Sequence, residues 1–174
     1  MKPRQLLVTG FGPFDDVAFN PSGAIAHALS ESPPGGWEVT HAQLPVTFEG
    51  APLAVDDALS SMSVRPDLML GLGVHRGRSF RLERRARLDG DERVTKFDVR
   101  QQALALANAG AGAVMISSDA GKYVCERAYH HQLLRSTELQ TRALFLHVPP
   151  EHTMPHAEQT AIIRAWLAAW SGAR

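Results

Sequence analysis

Gln5-Leu6-Leu7-Val8-Thr9 followed by Gly10-Phe11-Gly12-Pro13 is the stretch on which the fold reading turns. Three consecutive apolar residues end in glycines and a proline, the pattern of a buried strand meeting a loop. Pro21-Ser22 then opens a helix to about Ser30, with Ala24, Ile25, Ala28 and Leu29 on one face. The same alternation continues down the chain. After the break at Pro33-Pro34-Gly35-Gly36, Trp37–Leu44 reads as a strand and Ala51–Met62 as a helix. Leu68–Leu72 is a third buried strand, Val99–Ala109 a helix, Ala113–Ile116 a fourth strand and Val124–Leu134 a helix. Ala143–Leu146 is a fifth strand and Ala157–Trp170 a final amphipathic helix. Phe80–Arg87 alternates apolar and charged residues and reads as extended, though its four arginines suit a central strand poorly; Asp89–Asp98 reads as irregular. Strands alternating with helices predict an α/β three-layer sandwich with a mostly parallel twisted sheet, formed by one domain spanning residues 1–174.

Composition narrows the function classes. The 174 residues are 44% apolar and 21% charged, an ordinary globular balance that excludes disorder or coiled coil for the chain as a whole. Eighteen Lys+Arg offset eighteen Asp+Glu, so the electrostatic footprint of a nucleic-acid or anionic-membrane binder is missing. A small neutral substrate or a peptide fits better. No apolar run reaches the roughly 18 residues of a membrane span, and Leu6-Leu7-Val8 is too short for a signal-peptide core. Cys125 is the one cysteine, which precludes an intramolecular disulfide and makes the cytoplasm the expected compartment.

In open α/β sheets, sites form beyond the carboxyl ends of strands. Cys125 follows the fourth strand in the first turn of a helix, where the macrodipole and free N–H groups stabilise a thiolate and hold an oxyanion. A buried structural cysteine is the competing reading. His147 ends the fifth strand and titrates in the range a base needs. One helix and one strand separate it from Cys125, which in a parallel unit puts both at neighbouring strand ends. Glu83 is a candidate third member that would orient His147, although the pattern alone does not favour it over Asp89 or Asp119. His147, His152 and His156 also suggest a metal cluster, but they lack Cys or carboxylate at familiar ligand spacing, so no metal or other cofactor is expected. Gly10-Phe11-Gly12 lacks the third glycine of a dinucleotide fingerprint. Phe11 and Phe14 read equally as core or as walls for a small flat ligand.

Val8-Thr9-Gly10-Phe11-Gly12-Pro13-Phe14, Asn20-Pro21-Ser22, Leu44-Pro45-Val46, Ser117–Cys125 and Leu146-His147-Val148-Pro149 together resemble the pyroglutamyl peptidase I (pyrrolidone-carboxylate peptidase) family of cysteine peptidases. The resemblance runs in order from Leu7 to about Pro150. It implies a Cys125–His147–Glu83 triad that removes an N-terminal pyroglutamyl residue from small peptides. It implies Phe11 and Phe14 against the lactam ring, with Tyr123 and Val124 beside them and Arg93 as a basic residue near the nucleophile. The chain departs from the family pattern at Val74, Arg85, Arg87, Leu88 and Glu126, and its connection from Glu83 to Cys125 is shorter. In the family that region contributes to substrate cover and to subunit contact, so a homo-oligomer is compatible with the resemblance. Two rival expectations remain: a cysteine hydrolase of the same fold with altered small-acyl specificity, and a non-catalytic binding homologue.

Overall fold

The computed structural model describes residues 2–170, so the span 1–174 extends beyond the described residues at both ends. Strand β1 (Arg4–Phe11), helix α1 (Pro21–Glu31), strand β2 (Trp37–Leu44), helix α2 (Gly50–Ser61) and strand β3 (Leu68–Val74) alternate as the sequence predicts. Strands β4 (Phe80–Glu83), β5 (Arg85–Leu88) and β6 (Asp91–Val94) follow, then α3 (Val99–Leu106), β7 (Val114–Ser117), α4 (Val124–Glu138), β8 (Ala143–Val148) and α5 (His156–Ala168). Six strands form one sheet in the order β2-β1-β3-β8-β4-β7. All pairings in it are parallel except β4 with β8.

The side-chain period of two divides the core between the sheet's faces. Leu6, Val8, Leu70, Leu72, Leu144 and Leu146 pack beneath α1, α3 and α5, against Ile25, Leu29, Leu106, Ile163 and Trp166. Leu7, Met69 and Phe145 face α2 and α4, against Val55, Ala128, Tyr129 and Leu133. Both faces are covered, which is why the strands read as continuous apolar runs. The result is the expected mostly parallel sandwich.

Four sequence expectations change. Phe80–Arg87 is not one extended segment. It breaks at Arg84, whose N–H donates to the Ser117 carbonyl at 2.7 Å. β4 lies inside the sheet, whereas β5 pairs only with β6 in a separate hairpin. Arg85 and Arg87 therefore leave the sheet and pair with Glu92, so they impose no cost on a central strand. Residues 89–98 are not wholly irregular either. Asp89 (φ 51°) and Gly90 (φ 85°) both have positive φ and make the tight turn that returns β5 into β6. In addition, β7 and β8 are not parallel neighbours: β4 stands between them, so the strand that leads to Cys125 does not adjoin the strand that carries His147. Helix α3 also ends at Leu106, with a π turn at Ala107–Ala111 kinked by Gly110 (φ 114°).

Candidate active site

Strand registers build the site. Gly73 is opposite His147 across β3 and β8, and Arg81 is opposite His147 across β8 and β4. Opposed residues point to the same face. Phe145, two residues before His147, belongs to the core cluster under α4, so His147 and Arg81 share that face. Glu83, opposite Phe145, joins them. Phe80 and Leu82, at the alternate positions of β4, are buried on the other side.

Cys125 enters from above. It is the second residue of α4, whose N-cap position is Tyr123 in extended conformation. A Cβ on Gly73 would lie 2.9 Å from Cys125 Sγ and 3.1 Å from the Phe145 ring. The absent side chain is what lets the sulfur settle onto the sheet one strand from His147. Burial, followed by the negative charge of Glu83, pushes the thiol from an ordinary 9.0 up to about 12. The positive charge of Arg81 and a backbone hydrogen bond at Cys125 itself pull the other way and lose. The expected thiolate-favouring helix N-terminus is thus outweighed, and the sulfur rests as a thiol.

Glu83 is wholly buried and His147 nearly so. His147 Nδ1 stands 2.7 Å from Glu83 Oε1, and Arg81 Nε donates to the same oxygen at 2.7 Å. A carboxylate accepts only, so Nδ1 donates to it and Nε2 is the ring nitrogen left to exchange a proton. Arg81 Nη2 is 3.3 Å from Nδ1. Glu83 Oε2 is buried without a partner among the described residues. The Tyr129 hydroxyl donates to the Glu83 carbonyl at 2.9 Å, tying α4 to β4 behind the pair. The His75 ring lies 5.8 Å from that of His147 and meets the Ser79 carbonyl at 2.6 Å; burial holds it below the usual histidine range.

The remaining predicted residues divide. Phe11 is buried in the same apolar cluster as Val124, with Cys125 packed against it. Phe14 is 39% exposed, and Tyr123 is 78% exposed. Arg93 is paired with Asp91 at 2.8 Å on the hairpin, and Asp91 also meets His130 of α4 at 2.8 Å. The loop that follows Phe11 at the end of β1 and bears Phe14 is anchored by Asn20. Its Oδ1 accepts from Ser22 N at 3.1 Å, and its Nδ2 donates to the Gly12 carbonyl at 3.2 Å. His147, His152 and His156 do not gather: His147 binds Glu83 and His156 binds Glu151. Among the described residues no group of three metal-ligating side chains forms. Arg81, Gly73 and Tyr129 escaped the sequence reading. Only the two-residue spacing of Arg81 and Glu83 on an extended run hinted at a shared face.

Residues 4–102, more than half of the chain, match the family model for pyroglutamyl peptidase. The chain belongs to the pyroglutamyl peptidase family. This is a family of cysteine peptidases, and the matched span includes Glu83 but ends before Cys125. A pyrrolidone-carboxylate peptidase of Yersinia pestis (strain Pestoides F) is 27% identical over 180 residues, covering 88% of this chain and 82% of that protein. The pyrrolidone carboxyl peptidase structure from Fervidobacterium islandicum AW-1 superposes with a TM-score of 0.83 at 25% identity, covering 95% of this chain and 97% of that one. Pyroglutamyl peptidase I from Bacillus amyloliquefaciens gives 0.81 at 20% identity, with 95% of each chain covered, and shares the fold. Among the described residues no helix is long and apolar enough to cross a membrane.

Proposed function

We propose that this pyroglutamyl peptidase family member removes an N-terminal pyroglutamyl residue from peptides, with Cys125 as nucleophile, His147 as base and Glu83 as the group that orients it. The observation that carries the reading is the buried 2.7 Å contact of His147 Nδ1 with Glu83 beside the Cys125 sulfur seated over Gly73. His147 Nε2 takes the thiol proton as sulfur attacks the carbonyl joining pyroglutamate to the next residue. Because the thiol is pushed up to about 12, proton transfer and attack belong to one step. Backbone N–H groups at the start of α4 hold the oxyanion, each worth about 3 kcal/mol in comparable sites. His147 then gives its proton to the leaving amine. Water, deprotonated by His147, attacks the acyl-enzyme, releasing pyroglutamate and restoring the thiol.

The lactam carries no charged amine, so an apolar slot of Phe11 and Val124, rimmed by Phe14 and Tyr123, suits it. A free N-terminal glutamate would bury charge there at high cost. Arg93 holds the hairpin beside α4 and so shapes the approach to the nucleophile. We place the reaction in the cytoplasm, where a lone thiol stays reduced. The test is fluorophore release from a pyroglutamyl amide by the wild type and by Cys125→Ala. Clear turnover by the first alone supports the reading; equal rates overturn it. The exposure of Phe14 and Tyr123 favours a second reading, a wider slot that accepts another small acyl group. Turnover of such an amide by a chain inert to the pyroglutamyl substrate would select it.

A further inference from the structure

Glu83 uses its carboxylate unevenly. Oε1 takes both His147 Nδ1 and Arg81 Nε, whereas Oε2 is buried with no donor. Arg81 does more than share the oxygen, because its Nη2 stands 3.3 Å from the ring nitrogen that Glu83 contacts. The antiparallel register that sets Arg81 opposite His147 fixes this approach in the backbone. A lone carboxylate at that distance favours a protonated imidazole; a guanidinium touching the same nitrogen opposes it. The charged and titratable groups around His147 are Glu83 and Arg81 from β4 and His75 from the turn after β3, with Cys125 of α4 seated over Gly73, the β3 residue opposite His147. His75 is neutral near pH 7, so it does not alter the balance between the two β4 charges.

We propose that Arg81 is a positioning residue whose charge offsets Glu83 at His147, so that Cys125 and His147 rest as an uncharged thiol and imidazole rather than as an ion pair. The inference rests on the reading above, in which these two side chains act together. At the sulfur the two charges also oppose each other, with the effect of Glu83 the larger. Arg81 touches the imidazole directly, so removing it frees the protonated ring more than it penalises the thiolate. The pair then shifts toward thiolate–imidazolium.

The test is the pH profile of Cys125 alkylation by iodoacetamide, followed by intact mass on the folded full-length chain. Arg81→Gln keeps a hydrogen-bond donor and removes the charge. It is expected to alkylate about tenfold faster near pH 6.5, with the profile extended toward acid, while Arg81→Lys stays within about twofold of the wild type. An unchanged profile, a slower reaction or no reaction in either protein overturns the proposal. Arg81→Met is read in the same way should Arg81→Gln not fold, and loss of folded protein in both also overturns it in favour of a purely structural role. Alkylation needs no substrate. A wild type inert to pyroglutamyl amides would therefore sink the proposed function, while Arg81 would still be judged on its profile.

Discussion

Glu83 and His147 come from strands that run in opposite directions, and their side chains meet at 2.7 Å inside the protein. Nothing but strand register brings them together: they are 64 residues apart in the chain. The contact fixes which imidazole nitrogen bears the proton and which is free to act.

Replacing Glu83 by Gln should therefore damage turnover far more than binding. The amide can donate to Nδ1 and so stabilise the wrong tautomer. We expect kcat on a pyroglutamyl amide to fall by about 10²- to 10⁴-fold, with KM within a few-fold. Steady-state kinetics on the folded variant checks this. A kcat near the wild-type value would remove Glu83 from the machinery.

Gly73→Ala should act through space. The new methyl would sit 2.9 Å from Cys125 Sγ and 3.1 Å from the Phe145 ring, so one of the two must shift, and Phe145 is held in a packed core. We expect a stability loss of about 1–3 kcal/mol from overpacking. A drop in kcat of about tenfold or more should accompany it, because the sulfur is displaced from the base. Urea unfolding and kinetics on the same sample separate the two effects.

The buried thiol also makes stability depend on alkaline pH. Its value is raised from 9.0 unfolded to about 12 folded, so the folded state holds the proton more tightly. That contribution is complete below about pH 9 and is lost as pH rises through about 12, at a slope of up to about 1.4 kcal/mol per pH unit. Denaturant melts at about pH 8 and about pH 10.5 should show a steeper loss for the wild type than for Cys125→Ala. Parallel losses would mean that the sulfur is not buried as described.

Asn20→Ala should loosen the loop that carries Phe14. The side chain caps α1 through Ser22 N and secures the Gly12 carbonyl, so both contacts disappear together. A loss of about 1–2 kcal/mol is expected from the cap alone. KM for the pyroglutamyl amide should rise with kcat nearly unchanged, because in the proposed reading the loop lines the lactam slot and lies away from the reacting atoms. A fall in kcat at constant KM would contradict this assignment.

Much of the molecule was legible locally. Apolar runs at 5–9, 68–72 and 143–146 are buried on both sheet faces, and that demand alone makes them continuous. Asn20-Pro21-Ser22 announces a helix start, and the cap is formed as the residue types dictate. The Asp89-Gly90 turn is equally local in origin, but Asp91, Glu92 and Arg93 are all charged, which masks the period of two in β6.

The sequence by itself determined most of the helices, the long buried strands and the residue types able to act as nucleophile, base and orienting acid. These follow from interactions between residues near one another in the chain. Tertiary structure alone decided that β4 inserts between β7 and β8, antiparallel to β8 and parallel to β7, that Glu83 rather than Asp89 or Asp119 reaches His147, and that Arg81 accompanies it. It also decided that burial overrides the helix terminus at Cys125. Strand order and register depend on which surfaces exclude water together, a property of the whole chain that no local pattern encodes.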